Sequence, residues 1–206
     1  MDEAAVRSVL ADAWERWGLR CGELTLAQWA APTRCPPWNV RALIAHTCPD
    51  PAMFDMLESA FTSEPPAAID AVDLLRYFNQ PGGAAETMAD QIADDAVSQA
   101  ANLTPDVIVD RFIACARRVR DFPLPGNTVA RYPIIGTTTV AAISEVALME
   151  ATVHLLDLAD AVGGVEPSAE ALAATRDLLV AVPDPKAVVE VLAGRAQPVG
   201  ALPAIR

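Results

Sequence analysis

The sequence has little positive charge, few aromatic side chains and no long apolar run. Fifteen lysine and arginine residues stand against twenty-seven aspartate and glutamate residues, so the formal net charge is -12. Such a charge repels phosphate backbones and anionic membrane surfaces, and no local basic patch offsets it, which argues against binding to nucleic acid or membranes. No apolar run approaches the length that spans a bilayer, and the acidic N-terminus lacks the apolar core of a signal peptide. We therefore expect a soluble, cytoplasmic protein.

Strand-like alternation of apolar and polar residues is also absent, whereas helical spacing of apolar residues recurs along the chain. Hydrophobic residues make up 52% and charged residues 20% of the 206 positions, which is the composition of a folded domain and not of a disordered chain. Alanine supplies much of the apolar fraction, and small side chains favour closely packed helices. These observations predict an all-α fold.

The four cysteines follow neither the spacing of a zinc ribbon nor that of a redox pair. In a cytoplasmic protein we expect such thiols to be buried or chemically idle. They are Cys21, Cys35, Cys48 and Cys115.

Glycines, prolines and capping residues indicate where the helices begin and end. A first helix is expected over residues 3–30, weakened in its middle by Gly18 and Gly22. Asn39 is placed to cap a second helix, which should kink, or stop and restart, where Pro49 and Pro51 intrude. Further helices are expected at 69–78, 84–101, 106–122, 144–163, 169–182 and 184–192, with a long connection before the helix at 144–163 in which residues 132–135 add an extended piece.

The helix at 106–122 has two contrasting faces. Its inward face is expected to hold Val107, Ile108, Phe112, Ile113 and Val119. Its exposed basic turn allows two interpretations: a solvated face opposite acidic surface groups, or a binding patch for an anionic substrate. The basic residues concerned are Arg111, Arg117, Arg118 and Arg120.

Three polar residues form a possible metal-binding set. Glu150 and His154 are four residues apart on the helix at 144–163, which places a carboxylate and an imidazole on one face. The only other histidine is His46, in the helix that Asn39 caps. Two imidazoles and one carboxylate suit zinc first, with iron, nickel or manganese as alternatives, and leave a position open for water or substrate. Spacing alone also allows an ordinary pair of polar residues on a solvated helix face.

Two stretches resemble the N-terminal domain of the mycothiol-dependent maleylpyruvate isomerase family, within the wider DinB-like superfamily. The first is LTLAQWAAPTRCPPWNVRALIAHT, with a tryptophan before a proline-rich turn, then Trp-x-Val-Arg and a histidine six residues after the valine. The second is EATVHLLDL, a Glu-x-x-x-His motif followed by Asp-Leu. The resemblance implies a DinB-like four-helix bundle over residues 1–165, with a short helical extension and an irregular tail over residues 166–206 packed on it.

The resemblance also implies a site and a chemistry. Its metal ligands would be His46, Glu150 and His154, with zinc as the usual ion and mycothiol as the cosubstrate. The metal-activated thiolate would attack a small electrophile, as in a thiol transferase or an isomerase. Asp157 would hold an imidazole N–H, and Arg34 is a weaker candidate for binding a substrate carboxylate.

The sequence also allows a second function and a homodimer. One alternative function is a non-enzymatic DinB-like module that binds a metal or a ligand, or that regulates, without turnover. A homodimer also remains open, since helical bundles of this kind often pair.

Overall fold

Helices make up most of the chain in a computed structural model, which describes residues 1–133, 136–198 and 203–205. The all-α bundle with additional short helices is confirmed. The helices are α1 (Glu3–Glu23), α2 (Leu26–Trp29), α3 (Val40–Thr47), α4 (Ala52–Ser59), α5 (Ala71–Asn79), α6 (Ala84–Thr87), α7 (Ala89–Asn102), α8 (Pro105–Arg120), α9 (Val140–Val162), α10 (Ala169–Ala181) and α11 (Pro185–Leu192). Two strands, β1 (Val129–Tyr132) and β2 (Gly136–Thr139), lie between α8 and α9.

Helix α1 packs closely against α8, and Gly18 permits this approach. A Cβ atom at position 18 would lie 3.0 Å from the Ile113 Cδ1 atom and 3.3 Å from the Phe112 Cβ atom. Phe112 stacks on Trp17, with ring centroids 5.6 Å apart and planes 4° from parallel, and both residues are fully buried. The helix therefore runs unbroken through Gly18, because this glycine serves the contact between two helices.

The first helical region is instead interrupted at Leu24 and Thr25, so the predicted helix at 3–30 is two helices. Thr25 begins α2 with a capping box. Its side chain accepts from the Gln28 backbone N–H, and the Gln28 side chain accepts from the Thr25 backbone N–H at 3.0 Å. This local pair of hydrogen bonds favours a new helix start over continuation of α1.

The predicted interruption of the second helix is confirmed. Asn39 caps α3, and its side chain accepts a 3.0 Å hydrogen bond from the Ala42 backbone N–H. Helix α3 ends at Thr47, and α4 begins after Pro51. The chain stops and restarts there because proline has no backbone N–H to continue the helix.

Helix α9 is the central helix of the fold and contacts α1, α3, α5 and α10. It begins at Val140, earlier than the predicted residue 144, because Thr139 caps it and accepts from the Ala142 backbone N–H at 3.1 Å. It ends before Gly163, whose φ of 64° lies in the left-handed region that favours glycine. Inside the bundle, the Trp17 indole N–H donates to the Ala151 carbonyl of α9 at 2.9 Å.

A hairpin that the sequence did not predict leads into α9. Strands β1 and β2 pair antiparallel, with Val129 opposite Thr139 and Tyr132 opposite Gly136. The prediction of an extended piece at 132–135 covers residues 134 and 135, which lie outside the described residues. Tyr132 and Val146 of α9 pack against the same small apolar cluster, so the hairpin lies beside the helix one turn before Glu150.

The basic turn of α8 is paired with acidic groups. Arg118 forms ion pairs with Asp55 and Glu58, and Arg120 forms one with Glu15 at 2.6 Å. These pairs favour the solvated-face interpretation over a substrate patch. Val107, predicted to point inward, is 42% exposed. It lies off the buried face of α8, which runs from Ile108 through Phe112 to Val119.

Helix α10 lies against the bundle. Ala171 of α10 belongs to the main hydrophobic core, and Thr175 is buried. Arg76 of α5 donates to the carbonyl groups of Ala181 and Val182 at the end of α10, at 3.0 Å and 2.9 Å. Residues 199–202 and 206 of the predicted irregular tail lie outside the described residues.

In the described part of the chain, no helix is both long enough and apolar enough to cross a bilayer.

Candidate metal centre

His46 lies in the last turn of α3, and the sequence of that helix places it toward α9. Val40, Leu43 and Ile44 are fully buried, which fixes the inward face of α3. The cap at Asn39 sets where the helix begins, and therefore the angular position of His46 about two turns later. Because α3 contacts α9, this position brings the imidazole to the second histidine.

Glu150 and His154 face His46 from the middle of α9. The His154 Nε2 atom lies 3.3 Å from the Glu150 Oε2 atom, across one helical turn. The rings of His46 and His154 have centroids 5.3 Å apart and are nearly perpendicular, at 85°. One ligand atom from each of the three residues lies within 4.8 Å of the other two. The structure thus brings together the three residues that the sequence singled out.

The donor set of these residues fits a divalent ion. Two imidazole nitrogens and one carboxylate oxygen are ligands that zinc and related ions accept, and three protein ligands leave room for a further one. The Glu150 side chain is 42% exposed, whereas that of His154 is 15% exposed. Solvent and small ligands therefore have access to the site from the Glu150 side.

Asp157 orients His154 from the opposite side of the ring. The His154 Nδ1 atom lies 2.8 Å from the Asp157 Oδ2 atom, and the Asp157 side chain is only 7% exposed. With its Nδ1–H donated to the carboxylate, a neutral imidazole keeps its Nε2 lone pair toward Glu150 and His46. This arrangement is common among metal-binding histidines.

Arg34 lies beside the site, but one of its donors is already engaged. Its Nε–H donates to the Asp157 Oδ1 atom at 2.6 Å, and its side chain is 51% exposed. The residue predicted to bind substrate therefore first contacts an acidic residue of the protein itself.

Sequence reasoning missed two neighbours of the site. The Cys35 thiol donates to the Asp157 Oδ2 atom at 3.2 Å, so this cysteine is not an idle thiol. The Trp38 ring lies 4.6 Å from the His46 ring and 6.2 Å from the His154 ring, measured between centroids. Both come from the proline-rich turn before α3, where no periodic pattern indicates which side chains point inward.

A family model described as the mycothiol maleylpyruvate isomerase N-terminal domain matches residues 10–159. This range covers well over half of the chain and includes the three proposed ligands and Asp157. The chain belongs to this family. A search of curated proteins gave no significant match, and a search of solved structures gave none either.

The two histidines of this family member differ in their electrostatic surroundings. Burial lowers the pKa of His46, and the neighbouring charge of His154 lowers it further, so His46 is neutral at physiological pH. Burial also opposes the charged form of His154, but its hydrogen bonds to Asp157 and Glu150 outweigh burial and raise its pKa to about 9. In the metal-free protein His154 is therefore protonated at neutral pH, and a metal ion that binds it must displace that proton.

The two carboxylates stay ionised over the same range. Burial alone would raise the pKa of Asp157, but hydrogen bonds from His154, Arg34 and Cys35 lower it to about 2. The pKa of Glu150 is likewise lowered, because its hydrogen bond to His154 and the positive charge of that imidazole outweigh burial. For Cys35, burial and the hydrogen bond to Asp157 raise the thiol pKa to about 11, so it remains a protonated donor.

We expect the metal-free protein to lose stability as the pH rises from about 6.5 to about 9. The pKa of His154 is raised from 6.5 to about 9 on folding, so the native state binds this proton more tightly than the unfolded state. This contribution is fully present below the unfolded pKa and is lost as the pH rises through the folded pKa. Asp157 does not contribute to this pH dependence, because its pKa is about 2 and it stays ionised over the whole range.

Urea denaturation with a chelator present, at several pH values between about pH 6 and about pH 10, measures this dependence. The His154→Gln variant is the reference, since it cannot take up the proton. Between about pH 6.5 and about pH 8.5, its free energy of unfolding should fall less than that of the wild type. Above that range both proteins lose stability, because folding raises the pKa of buried thiols. Parallel curves for the two proteins would contradict the prediction.

Proposed function

We propose that the chain is a divalent-metal-dependent thiol transferase or isomerase-like enzyme, with mycothiol as the thiol cosubstrate. The observation that carries the proposal is the convergence of His46, Glu150 and His154, with one ligand atom of each within 4.8 Å of the others. Membership of a family described by mycothiol and an isomerase supports the choice of thiol and of reaction class. Zinc is the ion that this donor set suits best.

The three proposed ligands would hold the ion, and each contributes something different. His46 offers a neutral imidazole because its pKa is lowered by burial. Glu150 offers a charged oxygen on the solvent-accessible side of the site. His154 offers Nε2, held in direction by the hydrogen bond from its Nδ1 to Asp157. When bound, a divalent ion acts as a Lewis acid that lowers the pKa of a coordinated thiol, so that the thiol is a strong nucleophile at neutral pH.

Other residues of the chain shape the space around this centre. The Trp38 indole covers the His46 ring and donates its own N–H to the Ala93 carbonyl at 3.2 Å, so it is fixed as an apolar wall. An apolar wall excludes water from one side of the site and so favours reaction with a thiol over hydrolysis. The Arg34 guanidinium, tied to Asp157 through Nε, keeps its terminal N–H groups for a carboxylate on the thiol or the electrophile.

Metal content and turnover test the proposal together. Protein purified with zinc should retain about one equivalent, measured by mass spectrometry of the metal, as one three-ligand site predicts. With mycothiol and a panel of small electrophiles, the wild type should form thiol adducts or isomerised products, which liquid chromatography with mass spectrometry detects. Glu150→Gln should lose both properties. Glu145→Gln, a matched change on the same helix outside the ligand set, should keep both.

The two results separate the candidate functions. A zinc-free wild type from a zinc-supplemented purification would overturn the metal site. Zinc binding without conversion of any electrophile would overturn the enzyme and favour the non-enzymatic DinB-like binding module.

A further inference from the structure

Asp157 is held by more partners than one histidine requires. Its Oδ1 atom accepts from the Arg34 Nε–H at 2.6 Å, and its Oδ2 atom accepts from the Cys35 thiol at 3.2 Å and lies 2.8 Å from His154 Nδ1. Three donors from two separate parts of the chain thus converge on one buried carboxylate. Only one of them, His154, belongs to the proposed ligand set.

The turn that supplies Arg34 and Cys35 is itself closed by hydrogen bonds. The Thr33 hydroxyl donates to the Trp38 carbonyl at 2.7 Å and accepts from the Cys35 backbone N–H at 3.1 Å. The Trp38 backbone N–H donates to the Cys35 carbonyl at 2.9 Å, and the Val40 N–H donates to the Ala31 carbonyl at 2.9 Å. A closed turn fixes where its side chains point, so the donors reach Asp157 with little freedom.

This turn also runs directly into α3, which carries His46. One segment of the chain therefore places a proposed ligand on one side of the site and holds the partner of another ligand on the other side. If the turn shifts, both histidines are affected. This coupling distinguishes the turn from an ordinary surface connection.

The protonation states at Asp157 determine which group donates and which accepts in each hydrogen bond. The carboxylate is ionised, with a pKa of about 2, and can only accept. The Cys35 thiol, with a pKa of about 11, can only donate at neutral pH. With Arg34 and Cys35 in place, the carboxylate cannot rotate about its Cβ–Cγ bond without breaking a charged hydrogen bond. Without the hydrogen bonds from Arg34 and Cys35, the Asp157 carboxylate would keep only His154 of these three partners.

We propose that Arg34 and Cys35 are positioning residues, which hold Asp157 so that His154 presents its Nε2 atom to His46 and Glu150. This inference rests on the proposed function, because it concerns the same site. It gives Arg34 a role toward the protein itself, in addition to any contact with substrate. It also gives a function to a cysteine whose spacing in the sequence fits no motif.

The presence of only two histidines makes a direct test practical. In ¹⁵N-labelled protein, long-range ¹H–¹⁵N spectra resolve each imidazole and show which nitrogen carries the proton. In the zinc-loaded wild type, His154 should show a slowly exchanging Nδ1–H and a Nε2 without a proton. In the Arg34→Gln/Cys35→Ala double variant, that Nδ1–H should exchange faster with water. Zinc affinity, measured by competition with a chromophoric chelator, should fall about tenfold, at the lower end of the range for partners of metal-binding histidines.

Two matched variants define what the donors contribute. Cys35→Ser keeps an O–H donor and should keep the wild-type spectrum and affinity, whereas Cys35→Ala in the Arg34→Gln background should not. Arg176→Gln removes an exposed arginine on α10 whose ion pair is with Asp177, and it should change neither measurement. A purely structural role for the turn would instead lower stability in all Cys35 and Arg34 variants and leave the Nδ1–H signal intact.

The outcomes separate this inference from the proposed function. If the double variant keeps the Nδ1–H signal and zinc affinity of the wild type, while Asp157→Asn loses both, the positioning role is wrong and the metal site stands. If the wild type binds no zinc, the proposed function fails. The Nδ1–H exchange rate in the metal-free protein then decides the positioning role: faster exchange in the double variant supports it, and an unchanged rate overturns it.

Discussion

His154→Ala is expected to lower zinc affinity by about two to three orders of magnitude, because it removes one of three proposed ligands. Structural zinc sites with four ligands have apparent binding free energies of about 10–16 kcal/mol, or about 2.5–4 kcal/mol for each ligand. The change also removes the group that lies between the Glu150 and Asp157 carboxylates, at 3.3 Å and 2.8 Å from them. Chelator competition at constant pH measures the loss.

A graded series makes this result specific. Asp157→Asn keeps all three proposed ligands but weakens the hold on His154, so it should cost about 10–100-fold in affinity. Glu145→Gln should leave the affinity unchanged, because Glu145 lies outside the set whose ligand atoms are within 4.8 Å. If the His154→Ala protein still binds one zinc as tightly as the wild type, the ligand set is wrong. If Asp157→Asn has no effect on zinc affinity while His154→Ala abolishes zinc binding, the proposed ligand set is supported. The orienting role of Asp157 is then wrong.

Phe112→Ala is expected to destabilise the protein by about 3–5 kcal/mol, the range for removing a large buried aromatic ring. Phe112 is fully buried in α8 and stacks on Trp17 at a centroid distance of 5.6 Å. The contact lies where Gly18 brings α1 and α8 together, so neighbouring side chains have little freedom to fill the space. Urea denaturation of the metal-free protein, followed by circular dichroism, measures the change.

Phe112→Leu is the matched control, since it keeps most of the buried apolar surface and should cost less than about half as much. Trp17 also donates to the Ala151 carbonyl, next to Glu150 on α9. We therefore expect Phe112→Ala to weaken zinc binding slightly as well, by loosening the indole that anchors this part of α9. A destabilisation below about 1 kcal/mol would show that the α1–α8 interface collapses around the cavity more easily than its close packing suggests.

Features governed by local chemistry could be predicted from the sequence. Asn39 caps the helix that follows it, as predicted, because a side-chain oxygen near a backbone N–H decides a helix start within three residues. Proline likewise decided where α3 ends. The fold class followed from the absence of strand alternation together with recurring helical spacing.

Features governed by distant contacts could not be predicted in the same way. Gly18 weakens a helix by intrinsic propensity, yet the structure uses it for contact with α8, and the interruption comes at Thr25 instead. The hairpin before α9 was not predicted, because each of its strands has only four residues. The second strand, GTTT, also shows no alternation of apolar and polar residues.

The same distinction between local patterns and distant contacts applies to the candidate site. The Glu150–His154 pair is visible as helix spacing, and His46 was added as the only other histidine of the sequence. Resemblance to a family then strengthened this choice. No sequence pattern indicated that Cys35 lies beside the site, since it is in a turn and its partner Asp157 is more than a hundred residues away.

Because the proposed ligands lie far apart along the chain, a bound metal ion would stabilise the folded state against the unfolded state. His46 and Glu150 are roughly a hundred residues apart in the sequence, and only the contact between α3 and α9 brings them together. The denatured chain keeps the local Glu150–His154 pair but not the complete set, because closing so long a loop costs entropy that a weak ligand cannot offset. An ion that recognises all three side chains therefore binds the native chain alone. Each tenfold rise in free ion above its dissociation constant then adds about 1.4 kcal/mol to the free energy of unfolding, so metal starvation would expose the chain to proteolysis as well as inactivate it.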